Sequence, residues 1–231
     1  MKAMDVMTTA VVTVDPETKI EDIARRLIEN RISAVPVVDG AGKLCGLVSE
    51  GDLMRRPESQ TERHRSWWLA ALASPEELTR DYVKTHGLHA RDVMTHPVIT
   101  VPEDATVEEI ASILEKHRIK RVPVLRNGKL VGIVSRANLL HGLIARKAGD
   151  VPTPDDRTLR NTVIKSIGEA GLDKTLVDVV VTGGTVHLWG MVETQSELDA
   201  LRVASERIAG VKAVENDVRV MPSKMRGLMW S

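Results

Sequence analysis

The chain carries one stretch twice. Arg31 to Leu53 reads RISAVPVVDGAGKLCGLVSEGDL, and Arg118 to Leu139 reads RIKRVPVLRNGKLVGIVSRANL. The repeat extends upstream, where MDVMTTAVVTV (Met4 to Val14) returns as RDVMTHPVITV (Arg91 to Val101). Arg31 and Arg118 stand 87 positions apart, whereas Ser49 and Ser135 stand 86 apart, so the second copy lacks one residue in its turn. A duplication of this length predicts a repeated supersecondary unit that packs against its twin.

Both copies read as the same series of elements. Asp5 to Val14 is expected to form a short strand, and Asp15-Pro16 marks a turn. Ile20, Ile23, Ala24, Leu27 and Ile28 then share one helix face, with Thr18 and Glu21 predicted as a capping box. The apolar runs Ala34 to Val38 and Leu44 to Val48, joined by Asp39-Gly40-Ala41-Gly42, predict two buried strands. Ser49 opens a helix through Asp52 and Leu53. In the second copy the capping box falls at Thr106 and Glu109 and the turn at Asn127-Gly128.

Charge bounds the partners. Lys plus Arg equals Asp plus Glu at 32 each, so nucleic acid is not an expected partner. No run has the length of a membrane-spanning helix and the N-terminus lacks a signal peptide's apolar core, which predicts a cytoplasmic protein. Cys45 is the only cysteine and matches Val131 in the second copy, so it reads as a small core residue. Phe is absent, and the cores must be aliphatic. The histidines lack metal-ligand spacing, since Gly87 separates His86 from His89, and no metal site is expected. There is no Gly-x-Ser-x-Gly, Walker A loop or HExxH, so an enzyme is not expected.

Between the copies, Arg63 to Ala73 predicts one helix and Ser74-Pro75-Glu76-Glu77 the capped start of another, which Gly87 ends. Trp67 and Trp68 would project about 100° apart on a helix. They are candidates for a homodimer interface, where Trp is enriched; the alternative is that both cover the sheets of their own subunit. After the linker-like VPTPDD stretch, Thr153, Pro154 and Asp156 start a helix carrying Leu159, Val163, Ile164 and Ile167. Leu176 to Val181 and Thr185 to Trp189 flank Gly183-Gly184, a hairpin signal. Thr194 with Glu197 opens a further helix that stops at Gly210, and Ala213 to Val220 is the last strand.

The series D-V-M-T, amphipathic helix, R-I-x-x-V-P-V and G-h-[VI]-S-x-x-[DN] resembles the CBS motif, a regulatory module of the cystathionine-β-synthase type, in tandem over Met4 to about Met54 and Arg91 to about Leu143. The segment from about Pro154 to Met221, with HLWGMVETQSELDALRVASERIAGVKAVENDVRV, resembles the BON domain, with Gly190 and Gly210 at that family's glycine positions. The resemblance implies an α/β (α+β) fold: two β-α-β-β-α CBS motifs as a pseudo-symmetric pair, a helical insertion, and a small αββαβ BON domain. The chain then divides into 1–57 (first motif), 58–90 (insertion), 91–149 (second motif), 150–222 (BON) and 223–231 (tail).

Paired CBS motifs bind adenosine-containing ligands in the clefts between them, and the end of the second strand supplies the ribose and phosphate contacts. Carried over, that element is Ser49 and Asp52 in copy one and Ser135 and Asn138 in copy two. An ionised Asp accepts hydrogen bonds from both ribose hydroxyls, and a Ser at a helix start suits a phosphate. Taken alone, Ser-x-x-Asp reads rather as an N-cap with an acidic first turn, and the duplicated context turns the reading toward a ligand. Asn138 lacks the charge, which implies a weaker half-site or a different ligand. Resemblance to the AMP-activated kinase γ subunits implies phosphate contacts for Lys120 and Arg121, with Arg136 a third candidate, against solvated strand-edge charges.

The BON family is linked to phospholipid or membrane-surface association, and the tail residues Lys224, Arg226, Leu228 and Trp230 have the chemistry to touch an anionic surface. The expectation is therefore a non-enzymatic regulatory protein with no required cofactor. Its CBS pair takes an adenosyl ligand of the AMP, ADP, ATP, S-adenosylmethionine or NAD class and forms a homodimer, and its BON domain binds a protein partner or phospholipid surface. The competing expectation is a constitutive dimeric scaffold with no small-molecule ligand.

Overall fold

The computed structural model describes residues 1–54, 83, 86–146 and 152–221. Trp67, Trp68, most of the insertion and the tail lie outside the described residues. In chain order the first elements are α1 (Ala3–Val6), α2 (Ile20–Glu29), β1 (Ala34–Val38), β2 (Leu44–Ser49), α3 (Glu50–Leu53), α4 (Ala90–Val93) and β3 (Val101–Pro102). Then come α5 (Val107–Lys116), β4 (Arg121–Arg126), β5 (Lys129–Ser135), α6 (Arg136–Ala145), α7 (Pro154–Glu169), β6 (Val177–Thr182), β7 (Thr185–Val192), α8 (Gln195–Glu206) and β8 (Ala213–Val220).

The chain forms two compact units. One holds copy one, as Val11–Ile99 with Asn127–Leu130; the other holds Met1–Ala10, Thr100–Arg126 and Val131–Ser231. The D-V-M-T start of the segment preceding each copy therefore folds with the other copy, whereas the end of that segment, from Val11 and from Thr100, folds with its own.

In the copy-one unit, β1 and β2 pair antiparallel, and Val14 makes a parallel bridge to Val37. Helix α2 buries Ile20, Ile23 and Leu27 with Val35, Val37 and Val48 in an aliphatic core that α4 completes with Ala90 and Val93. Cys45 packs half-buried at the edge of that core. The expected cap at Thr18 does not form. Helix α2 follows Lys19 without a side-chain cap, because the Thr18 hydroxyl instead accepts from the Asp15 amide at 3.2 Å and donates to the Asp15 carboxylate at 3.0 Å. This local turn competes with the helix for the hydroxyl.

In the copy-two unit, β3 pairs parallel with β4 in a sheet of order β3-β4-β5. Thr106 and Glu109 close the predicted capping box on α5, with bonds of 3.2 and 2.8 Å. The β4-β5 turn at Asn127 and Gly128, which belongs to the copy-one unit, has φ of 51 and 77°. The stretch Asp5 to Val14 is not a strand. Its start coils into α1 because the Asp5 carboxylate accepts from the Lys2 amide at 2.7 Å, and sheet pairing survives only as single bridges at Thr8 and Val14.

The same unit contains the C-terminal αββαβ fold. Strand β7 is central, antiparallel to β6 and parallel to β8 across the α8 crossover. Val163, Ile167, Val179, Val181, Leu188 and Leu201 form its core. Thr153 and Asp156 cap α7 as predicted, whereas at α8 Thr194 caps Glu197 but the Glu197 carboxylate reaches the Glu193 amide. Among the described residues, no helix is long and apolar enough to cross a membrane.

Candidate functional site

The Ser-x-x-[Asp/Asn] turns end β2 and β5. In copy one, a single Asp52 oxygen, Oδ2, accepts from both the Ser49 amide at 2.9 Å and the Ser49 hydroxyl at 2.6 Å. Asp52 Oδ1 has no hydrogen bond among the described residues. Both side chains are half-buried. The Glu50 amide donates to the Ser33 carbonyl, fixing the turn to the residue before β1. Exposed Thr95 exchanges backbone bonds of 2.9 and 3.1 Å with Leu47, two residues before Ser49.

Copy two repeats this backbone. The Arg136 amide donates to the Lys120 carbonyl, and Thr8 exchanges backbone bonds with Ile133 as Thr95 does with Leu47. Its side chains have different surroundings. Asn138 Oδ1 accepts from the Ser135 amide at 2.8 Å and hydroxyl at 2.7 Å, which orients the amide so that Nδ2 faces away as a donor. That nitrogen donates to Asp178 Oδ1 on β6 at 3.1 Å and lies 3.3 Å from the Thr8 hydroxyl. The Thr8 hydroxyl donates to the same Asp178 oxygen at 2.8 Å. Asn138 is 2% exposed.

A wider polar seam surrounds this contact. His141 on α6 stacks on Trp189 of β7, with ring centroids 4.7 Å apart and planes 3° from parallel. Its buried Nδ1 lies 3.3 Å from Asp178 Oδ2 without the alignment of a hydrogen bond. Asp178 and Trp189 are themselves cross-strand partners. Arg160, 3% exposed on α7, donates to the carbonyls of Val179 and Met7. Burial pushes its guanidinium down to about 10, opposed by Asp5 and Asp178, so it stays cationic at neutral pH. Arg157 pairs with buried Asp5 at 2.7 Å, and that bond raises the Arg157 pKa against its partial burial. The Thr182 hydroxyl donates to the Ala145 carbonyl at the end of α6.

The cations read from sequence divide by exposure. Lys120 and Arg136 are exposed, the latter donating to the Ile119 carbonyl at 3.4 Å, while Arg121 is half-buried. Ser135, Asn138, Lys120, Arg121 and Arg136 belong to the copy-two unit, and Ser49 and Asp52 to the copy-one unit. No group of His, Cys, Asp and Glu suited to a metal ion occurs among the described residues. Sequence reasoning missed Thr8, Asp178, His141 and Arg160. The available signals were the Thr shared by both D-V-M-T segments and an acidic residue inside the apolar run Val177 to Val181.

Comparison with known proteins places these features. The CBS domain family matches residues 3–59 and 90–145, and the BON domain family matches residues 155–222. CBSX1, a chloroplastic CBS domain-containing protein of Arabidopsis thaliana, is 34% identical over 148 residues, which cover 59% of this chain and 61% of that protein, less than two thirds of its length. An uncharacterized protein of Methanocaldococcus jannaschii is 32% identical over 159 residues, covering 62% of this chain and 92% of that protein. The crystal structure of CBSX2 of Arabidopsis thaliana in complex with AMP is similar at a TM-score of 0.55 and 29% identity, covering 63% of this chain and 98% of that one. With the duplicated motif, its Ser-x-x-[Asp/Asn] turns and the αββαβ fold that follows, the chain belongs to the CBS domain family and carries a BON domain after its CBS motifs.

Proposed function

We propose that this is a non-enzymatic regulatory protein whose copy-one motif binds an adenosine-containing ligand at Ser49 and Asp52, with the BON domain engaging a partner or a phospholipid surface. The observation that carries this reading is the half-buried Asp52 carboxylate. Its capping role consumes one oxygen and leaves Oδ1 as an acceptor for ribose hydroxyls. The complex of similar CBSX2 with AMP supports the ligand class. The cations proposed for phosphate are Lys120 and Arg121, with Arg136 a third candidate.

A homodimer through the CBS motifs is part of the proposal. Helix α6 exposes Leu140, Leu143 and Ile144 beside a groove lined by Val107, Ala111 and Leu114, an apolar face that a second copy would cover. The scaffold reading draws support from copy two, where Asn138 is spent on protein partners.

A thermal shift with AMP, ADP, ATP, S-adenosylmethionine and NAD, run beside Asp52→Ala, tests the ligand. At about 100 times its Kd, a ligand adds roughly 2.7 kcal/mol, which raises Tm by a few degrees in a protein of this size. The expected result is a shift with at least one ligand that Asp52→Ala abolishes. No shift in folded protein would leave the scaffold.

A further inference from the structure

We propose that in copy two the BON domain stands in for the ligand: the Asp178 carboxylate fills the place of the ribose, so BON docking and an adenosine-containing ligand compete for Asn138 and Thr8. This rests on the reading of the two turns as ribose-binding elements.

The inference comes from the polarity of the two copies. Thr8 corresponds to Thr95 and Asn138 to Asp52, each pair at the repeat spacing, and the backbone around them is bonded alike. Both capping boxes consume one side-chain oxygen of the fourth residue. What remains in copy one is an anionic acceptor, suited to hydroxyl donors. In copy two the remaining atom is an N–H donor, with the Thr8 hydroxyl beside it, and both donate to one Asp178 oxygen at 3.1 and 2.8 Å. Two donors converging on a carboxylate oxygen form charge-assisted bonds, the stronger kind. The Asp-to-Asn difference between the copies thus selects an acidic occupant, and β6 supplies it.

The seam around this contact makes it a built interface. Trp189, paired across the sheet with Asp178, stacks on His141, while Arg157, Arg160 and Thr182 bond Asp5, the Met7 carbonyl and the Ala145 carbonyl. A carboxylate at 138 would face Asp178 directly, and two carboxylates at that spacing repel. Occupation of copy two by ligand would accordingly release the BON domain, and BON docking restricts an intact chain to its copy-one site.

The test measures AMP stoichiometry by equilibrium dialysis on the full chain, its Asp178→Ala variant and its Asn138→Asp variant, together with amide hydrogen exchange over α6 and β6. Asn138→Asp keeps a capping box, since Asp52 makes the same one, and so separates lost docking from lost folding. The expected result is a single equivalent for the wild type, a second equivalent in both variants, and exchange of α6 and β6 amides about tenfold faster or more in the variants. Folded variants that bind only as much AMP as the wild type overturn the proposal while leaving the copy-one reading intact. A wild type that takes up two equivalents with α6 and β6 protection unchanged overturns it as well. Failure of all three proteins to bind AMP or any other of the five ligands of the thermal shift would remove the copy-one reading and this inference together.

Discussion

Met7 lies on the bare face of Gly132: a Cβ built on that glycine would come within 2.5 Å of the Met7 sulfur. Met94 stands in the same relation to Gly46, at 2.3 Å. Met7 and Met94 are the methionines of the two D-V-M-T segments, and each packs on the strand glycine of the other copy. The glycine admits the methionine, and the methionine brings in the Thr that pairs with the strand beyond it, Thr8 to Ile133 and Thr95 to Leu47. The two halves of the repeat motif are therefore completed across copies.

Gly132→Ala should force Met7 off its seat and weaken the Thr8 to Ile133 pairing, at a cost of about 1–3 kcal/mol for overpacking. Urea denaturation measures it. In a double-mutant cycle with Met7→Ala the costs should be less than additive, because the shorter side chain leaves room for the new methyl. Strict additivity would mean that the contact contributes nothing.

Gly190 sits in β7 with φ of 134°, and a Cβ there would meet the Leu176 carbonyl oxygen at 2.0 Å. That oxygen belongs to backbone, so it cannot swing aside. Gly190→Ala should cost about 2–4 kcal/mol and loosen the β6-β7 pairing, read as faster amide exchange across both strands. A fully stable variant would contradict the geometry.

Asp156 gives the BON domain an acid limit. Burial pushes its carboxyl up, but hydrogen bonds from Thr153 and the Gly184 amide outweigh burial and hold it below the ordinary 3.8. A carboxyl with a lowered folded pKa contributes stability above its unfolded pKa, and that contribution is lost as pH falls through the folded value. Asp156→Asn should therefore destabilise the protein at neutral pH and flatten the stability profile below about pH 4. Urea midpoints across that range would show it; parallel profiles for variant and wild type would refute it.

Leu143 is 68% exposed on α6, in the face assigned to a second copy. Leu143→Glu should shift the protein toward monomer in sedimentation velocity, with the far-ultraviolet spectrum unchanged. An unaltered dimer would move the interface elsewhere, and a monomeric wild type would remove it.

Much of this protein was legible in sequence, because the deciding interactions are short in range. Thr106 with Glu109 and Thr153 with Asp156 are capping boxes closed within one turn, and Asn127-Gly128 and Gly183-Gly184 are turns set by which residues tolerate positive φ. Repeat spacing gave the two copies, and glycine and alternation gave the αββαβ order. Thr18 failed as a cap because a local competitor, Asp15, took its hydroxyl. Ser49 with Asp52 was readable as a pair, but which carboxylate oxygen its own cap consumes was not. Tertiary structure alone decided that residues 1–10 fold with copy two, and that Asp178 meets Asn138 from 40 positions away and Thr8 from 170. Periodicity and propensity describe how a segment divides its own polar and apolar groups; the partner of a donor left over after local bonding is settled only by which distant surface packs against it.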